Sequence, residues 1–208
     1  MKRRTFDLMA SAGGLLIAAI LLVAGLVLSA NASFANTYVA DQLGEQKITF
    51  PTVDEMSDEE RAVPCLVENA GQPLTTGKQA ECYANNFIGL HLQGIAGGKT
   101  YAELGDVQSE LRAQIAEAQR TNADNLADLQ AELQTVTQQR ETVFKGETLR
   151  GLLLTSYGFS ELGAKAGLAA TVAYIGAGLM LLLSVLGFWH AARTPATQAF
   201  AAPEPPRG

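Results

Sequence analysis

Two stretches of the sequence leave little freedom in how this chain can fold. Leu8–Ala30 (LMASAGGLLIAAILLVAGLVLSA) and Ala166–Trp189 (AGLAATVAYIGAGLMLLLSVLGFW) each run without a charged side chain. Each exceeds the roughly 20 residues an α-helix needs to cross the ~30 Å hydrocarbon core of a bilayer. In a chain of 208 residues neither is plausible as a buried core helix. The sequence therefore reads as an all-α membrane protein, with two transmembrane helices flanking one mainly helical extracytoplasmic domain that contains a long amphipathic helix. The expected divisions are a cytoplasmic stub at 1–7, a first span at 8–30, an exported domain at 31–165, a second span at 166–189 and a disordered cytoplasmic tail at 190–208. A cleaved signal peptide is the competing reading of the first span, because Ala30-Asn31-Ala32 is a passable cleavage site. Its apolar run is well beyond the ~7–15 residues of a signal core, which favours retention.

Basic residues set the orientation. Lys2, Arg3 and Arg4 precede the first run, and His190 and Arg193 follow the second. Short basic flanks stay cytoplasmic, so both termini are expected inside and residues 31–165 outside. The exported part is acidic, with 19 of the 21 Asp and Glu but only 10 of the 15 Lys and Arg. Neither end is long enough to fold, so no cytoplasmic catalytic or nucleic-acid-binding module is expected. The absence of charge within the spans argues against a proton relay, an ion pathway or a transporter core.

Cys65 and Cys82 both fall in the exported part, where an even count in an oxidising compartment favours a disulfide. The alternative, a reactive or metal-binding pair, is disfavoured by a separation unlike that of redox or zinc motifs. Around them the signals are local. Ser33–Gln46 extends the first helix outward, and Lys47–Pro51 is a short extended piece stopped by proline. Asp54–Glu60 reads as a solvated acidic helix start, lacking the ligand pattern of a calcium loop. The sequon Asn31-Ala32-Ser33 sits at the membrane edge and carries little weight. Thr75 or Thr76 caps a helix running through Cys82, Phe87, Leu90 and Ile95 to a stop at Gly97-Gly98. His91, the exported histidine, reads as a structural residue.

Apolar or small residues then recur at Val107, Leu111, Ile115, Ala118, Asn122, Leu126, Leu129, Leu133 and Val136, a spacing of about 3.6 that predicts one amphipathic helix. Such a stripe needs a partner. Leu126, Leu129 and Leu133 are candidates for a partner interface, with intramolecular packing favoured over a long parallel coiled coil. Glu147 and Arg150 stand one turn apart, and Tyr157 and Phe159 suit a membrane–water boundary. The glycines between Gly146 and Gly158 are expected to form a hinge. In the spans, Ala10, Gly14 and Ala18, and Ala169, Ala173 and Ala177, recur every four residues, a spacing that permits close helix approach. Gly14 and Ala173 mark these faces as interface candidates. In an antiparallel pair the two small faces fall at different depths, so each is expected to meet large side chains or another subunit.

MKRRTFDLMASAGGLLIAAILLVAGL, HLQGIAGGKTYAEL, FKGETLRGLLLTSYGF and LLLSVLGFWH resemble segments of a family of small two-pass membrane proteins from high-GC Gram-positive bacteria. The resemblance covers both spans and the second half of the exported part. It implies the same topology and a location in the bacterial cell membrane, and no mechanism. Similar sequences carry an aromatic ring-opening dioxygenase label. The residues oppose it, since a non-haem iron site takes two histidines and a carboxylate together, and His91 and His190 are expected on opposite sides of the membrane. The sequence thus favours a non-catalytic accessory, assembly or scaffold subunit of an envelope complex, with no metal or cofactor. Its expected partners are the lipid bilayer and a membrane protein or a second copy, without nucleic acid. The alternative is an extracytoplasmic sensor or ligand-binding module that signals through a partner.

Overall fold

The computed structural model describes residues 2–198. Its elements in order are α1 (Arg3–Glu45), α2 (Asp58–Arg61), α3 (Pro64–Glu68), α4 (Gly77–Cys82), α5 (Gly89–Gly94), α6 (Tyr101–Thr121) and α7 (Leu126–Arg193). A π-helical run, Tyr83–Ile88, links α4 to α5, and no strand occurs among the described residues. The chain divides into two compact units, Met1–Ala35 with Leu162–Gly208 and Asn36–Glu161.

The first unit is an antiparallel helix pair whose seam is made of small residues. Along α1 the inward positions are Ser11, Gly14, Ala18, Leu21, Gly25, Leu28 and Ala32, alternating steps of three and four. Along α7 they include Ala170, Ala173, Ala177, Met180, Ser184, Gly187 and Ala191, with the same alternation. This averages about 3.5 residues, the period at which two helices keep one face together. A Cβ placed on Gly14 would lie 2.5 Å from Ser184 Oγ, and one on Gly187 would lie 2.2 Å from Ser11 Oγ. Each serine thus occupies the space left by the opposite glycine. Both hydroxyls donate to their own helix, Ser11 to Asp7 O at 2.7 Å and Ser184 to Met180 O at 2.7 Å, so neither is left unpaired. Tyr174 lies over Gly25, and its hydroxyl stands 3.1 Å from Ser29 Oγ.

Small residues therefore do meet small residues within the pair, contrary to the expectation that they fall at different depths. The four-residue stripes mistook the phase. Ala10 and Ala169 point outward, whereas Ser11 and Ala170 are buried. Outside the seam, Leu16, Ile20, Val23, Leu168, Val172, Ile175 and Leu182 are all exposed. An apolar surface this continuous calls for apolar surroundings, and both helices are long and apolar enough to cross a membrane. Of the tail expected to be disordered, residues 190–193 continue α7, and Gln198 O accepts a hydrogen bond from Arg3 N at 3.0 Å. Residues 199–208 lie outside the described residues.

The second unit has a core of its own, with Phe50, Leu66, Leu74 and Leu104 fully buried. The Cys65–Cys82 disulfide joins α3 to α4. The extended piece ending at Pro51 pairs antiparallel with the segment before α4. Phe50 N donates to Gln72 O at 3.0 Å, and Leu74 N donates to Ile48 O at 2.9 Å. Thr76 caps α4 by accepting from Gln79 N, and Thr100 caps α6 by accepting from Glu103 N. Glu103 returns the contact to Thr100 N at 2.7 Å. That backbone N–H, followed by the Thr100 hydroxyl, holds the Glu103 carboxyl below the usual carboxylate range.

The single long helix expected through Val136 is broken at Asn122, which adopts the left-handed conformation (φ 51°). Asparagine tolerates this region. The N–H groups of Asn122 and Ala123 both return to Ala118 O. The stripe then folds on itself: α6 lies along the first part of α7, with Leu104, Leu111, Ala118, Val136 and Val143 buried. A buried polar group fixes the register. Gln108, 3% exposed, donates to Thr137 Oγ1 at 2.7 Å and accepts from Arg140 Nη1 at 2.8 Å. The expected glycine hinge is absent, since Gly146, Gly151 and Gly158 all lie inside α7. Gly146 serves close packing instead: a Cβ there would meet Leu92 Cδ2 of α5 at 2.6 Å.

Two outcomes follow from these contacts. Cys65→Ser opens a loop of 17-residue separation and is expected to cost the second unit about 3 kcal/mol by chain entropy, read as a lowered denaturation midpoint with helix content retained. Glu103 contributes stability above its unfolded pKa that is lost as pH falls through its lower folded value. Wild type is therefore expected to exceed Glu103→Gln in stability at neutral pH, with the gap closing on acidification in parallel denaturation series.

Candidate functional site

The second unit carries the polar and apolar features from which a site could be built. One is a row of rings along the π-helical run. Phe50 meets Tyr83 edge-on at 5.2 Å, Tyr83 lies 4.6 Å from Phe87, and Phe87 lies 4.5 Å from His91. Steps of four residues bring Tyr83, Phe87 and His91 to one face. Phe87 O stands 2.8 Å from His91 Nδ1 and can only accept, so Nδ1 carries the proton and Nε2 is left free. Nε2 points toward Glu60 Oε1 at 3.9 Å.

Glu60 departs from the solvated acidic start expected of Asp54–Glu60. It is 6% exposed; its Oε2 accepts from Ser57 N at 2.7 Å, while its buried Oε1 has no hydrogen-bond partner. Burial, and then the Glu60 charge, push the Tyr83 phenol above its ordinary pKa. The geometry makes Glu60–His91 a charge pair when His91 is protonated.

A second feature surrounds Lys78 on α4. Its ammonium lies 3.2 Å from Tyr157 Oη and 3.2 Å from Glu161 Oε1, and 4.6 Å from the centre of the Tyr157 ring. The hydrogen bond to Tyr157, followed by that to Glu161, raises its pKa above the usual lysine value. Tyr157 is thereby a partner of α4. Beside it an open polar hollow of about 500 Å³ is lined by Asn69, Gln79, Asn85, Asn86 and the disulfide. Asn69 and Gln79 hydrogen-bond each other at 3.1 Å, and Asn86 reaches Cys65 Sγ at 3.3 Å.

Third is an exposed patch on the α6–α7 pair. Arg140 stacks 4.0 Å over the Tyr101 ring, donates to Tyr101 O at 3.1 Å, and leaves Phe144 54% exposed beside them. The fourth is an apolar groove of about 370 Å³, walled by the end of α1 and by residues 149–159 of α7. Among the described residues no group of three or more His, Cys, Asp or Glu side chains is placed to hold a metal ion.

The residues singled out from the sequence distribute as follows. Cys65 and Cys82 are bonded. Leu129 and Leu133 are half-buried against the core of the second unit, and Leu126 is half-buried at the start of α7. Gly14 and Ala173 lie in the seam of the helix pair. His91 belongs to the second unit and His190 to the first, where His190 Nε2 stands 3.8 Å from Asp7 Oδ2. Sequence reasoning missed Glu60, Arg140 and the groove. Only Arg140 had a local signal, standing four residues before Phe144 in an otherwise Gln- and Thr-rich stretch.

Comparison with family models, characterised proteins and solved structures gives no match. In Glu60→Gln, the Tyr83 phenol is expected to titrate at lower pH than in wild type, while burial still holds it above ordinary tyrosine, as read by tyrosine-labelled NMR.

Proposed function

We propose that the protein is a non-catalytic accessory, assembly or scaffold subunit of a bacterial cell-envelope membrane complex. The helix pair anchors it, and the second unit acts as its extracytoplasmic domain. The observation that carries this reading is the Tyr101–Arg140–Phe144 patch. Two exposed aromatic side chains, Tyr101 and Phe144, with the half-buried Arg140 between them, have the composition of interface hot spots. Leu129 and Leu133 help hold α7 against the core of the second unit, and Leu126 stands half-buried at the start of that helix.

The outward leucines and isoleucines of the helix pair support a bilayer as its surroundings. Lys2, Arg3, Arg4 and Arg193 support cytoplasmic termini, and the disulfide suits an oxidising exterior. The resemblance to two-pass proteins of high-GC Gram-positive bacteria supports the bacterial membrane. A second reading, an extracytoplasmic ligand-binding module that signals through a partner, is favoured by the apolar groove.

Purification of the tagged chain from its own membranes in mild detergent tests the reading. A stoichiometric membrane protein is expected to accompany wild type and to be lost from Phe144→Asp at least tenfold, with the disulfide intact. Wild type emerging alone would contradict the subunit reading.

A further inference from the structure

We propose that the groove of the second unit holds one acyl chain of a membrane lipid. This rests on the membrane location proposed above and adds to it a binding site. The walls are Val39 and Leu43 from α1 with Leu149, Leu152, Leu153 and Phe159 from α7. None of the residues that line it is charged, although the unit as a whole is rich in Asp, Glu, Lys and Arg. An ionic group entering it would lose water and find no opposite charge, so the occupant is neutral where it is enclosed. Leu152 is 62% exposed and Phe159 is 47% exposed, apolar surface that an occupant would cover.

The size argues for a thin occupant. A helix about 10 Å across, rising about 1.5 Å per residue, fills on the order of 120 Å³ per residue. A hollow of about 370 Å³ would therefore admit less than one turn of a partner helix. It nonetheless falls within the range of about 300–1,000 Å³ typical of small-molecule sites. A single hydrocarbon chain meets both conditions.

The rim suits the polar end of such a molecule. The side-chain amides of Gln42 and Gln46 lie on one side and make no hydrogen bond among the described residues. On the other side Thr155 donates to Gly151 O at 2.9 Å and Ser156 donates to Leu152 O at 3.3 Å, leaving their oxygens free to accept. Amide N–H groups suit ester oxygens, and no basic residue on the lining selects an anionic headgroup.

Reach is fixed by the chain alone. Tyr38 is eight residues from Ala30 and Phe159 is seven from Ala166. Even fully extended, at about 3.5 Å per residue, these links span no more than about 28 Å. The bilayer is therefore a reservoir of the proposed ligand within the length of those links.

The test uses the full chain in membranes containing a phosphatidylcholine with a diazirine in its acyl chain, with adducts mapped by peptide mass spectrometry after illumination. Adducts are expected on the segments 38–48 and 149–159 as well as on 8–30 and 166–189. Leu152→Asp, which places a charge in the groove, and Leu152→Trp, which fills it, are each expected to cut the groove adducts at least tenfold while the span adducts persist. Groove adducts unchanged in both variants, or adducts confined to the spans, would overturn the inference and leave the membrane reading standing. Absence of adducts on the spans would overturn both.

Discussion

Close approach of two helix backbones is the constraint on which the first unit depends. Its side chains at the contact are mostly no larger than alanine or serine, so little apolar area is gained there. Cohesion comes from dispersion between helices that can touch because nothing bulky stands between them. The reciprocal fit of Ser11 on Gly187 and Ser184 on Gly14 sets register as well as distance. Most of the leucine, isoleucine and valine is then left for the outside, the inverse of a water-soluble helix pair. The interior is small and the exterior large and apolar, an arrangement suited to a hydrocarbon environment.

The second unit is held by different means. Its short helices α2 to α5 are each too brief to be stable alone. The disulfide, the two-residue backbone pairing at Phe50 and Leu74 and the caps at Ser57 and Thr76 hold this part together, while Lys78 on Tyr157 and Glu161 and Leu92 against Gly146 tie it to α7. Gln108 sets the alignment of that pair, since sliding α6 along α7 would strand a buried amide and part it from Arg140. The same arginine supports the exposed Tyr101 and Phe144, so the proposed partner surface is tied to the register of the core beneath it.

Features governed by composition or short spacing were readable in advance. The apolar runs, the paired cysteines, the Thr76 start and the extended piece before Pro51 each follow from a few neighbouring residues. What escaped the sequence depends on partners far along the chain. Asn122 lies in phase with the apolar stripe, so periodicity carried the helix through it, although its tolerance of the left-handed region ends α6 there. Ser11 and Ser184 are polar, and it is their hydrogen bonds to their own helices that suit them to the seam. Glu60 sits in an acidic cluster whose other members are exposed, and only the fold turns it toward Tyr83 and His91. The groove joins residues 38–48 to 149–159, a proximity with no local signature.

The central claim is that the helix pair anchors the second unit on the outer side of a bacterial membrane. Single cysteines introduced as Gln119→Cys on α6 and Ala192→Cys near the end of α7, treated in intact cells with a membrane-impermeant maleimide, test it most directly. The account predicts modification of Gln119→Cys in intact cells and of Ala192→Cys only after the membrane is opened. The reverse pattern, or modification of both in intact cells, would contradict it.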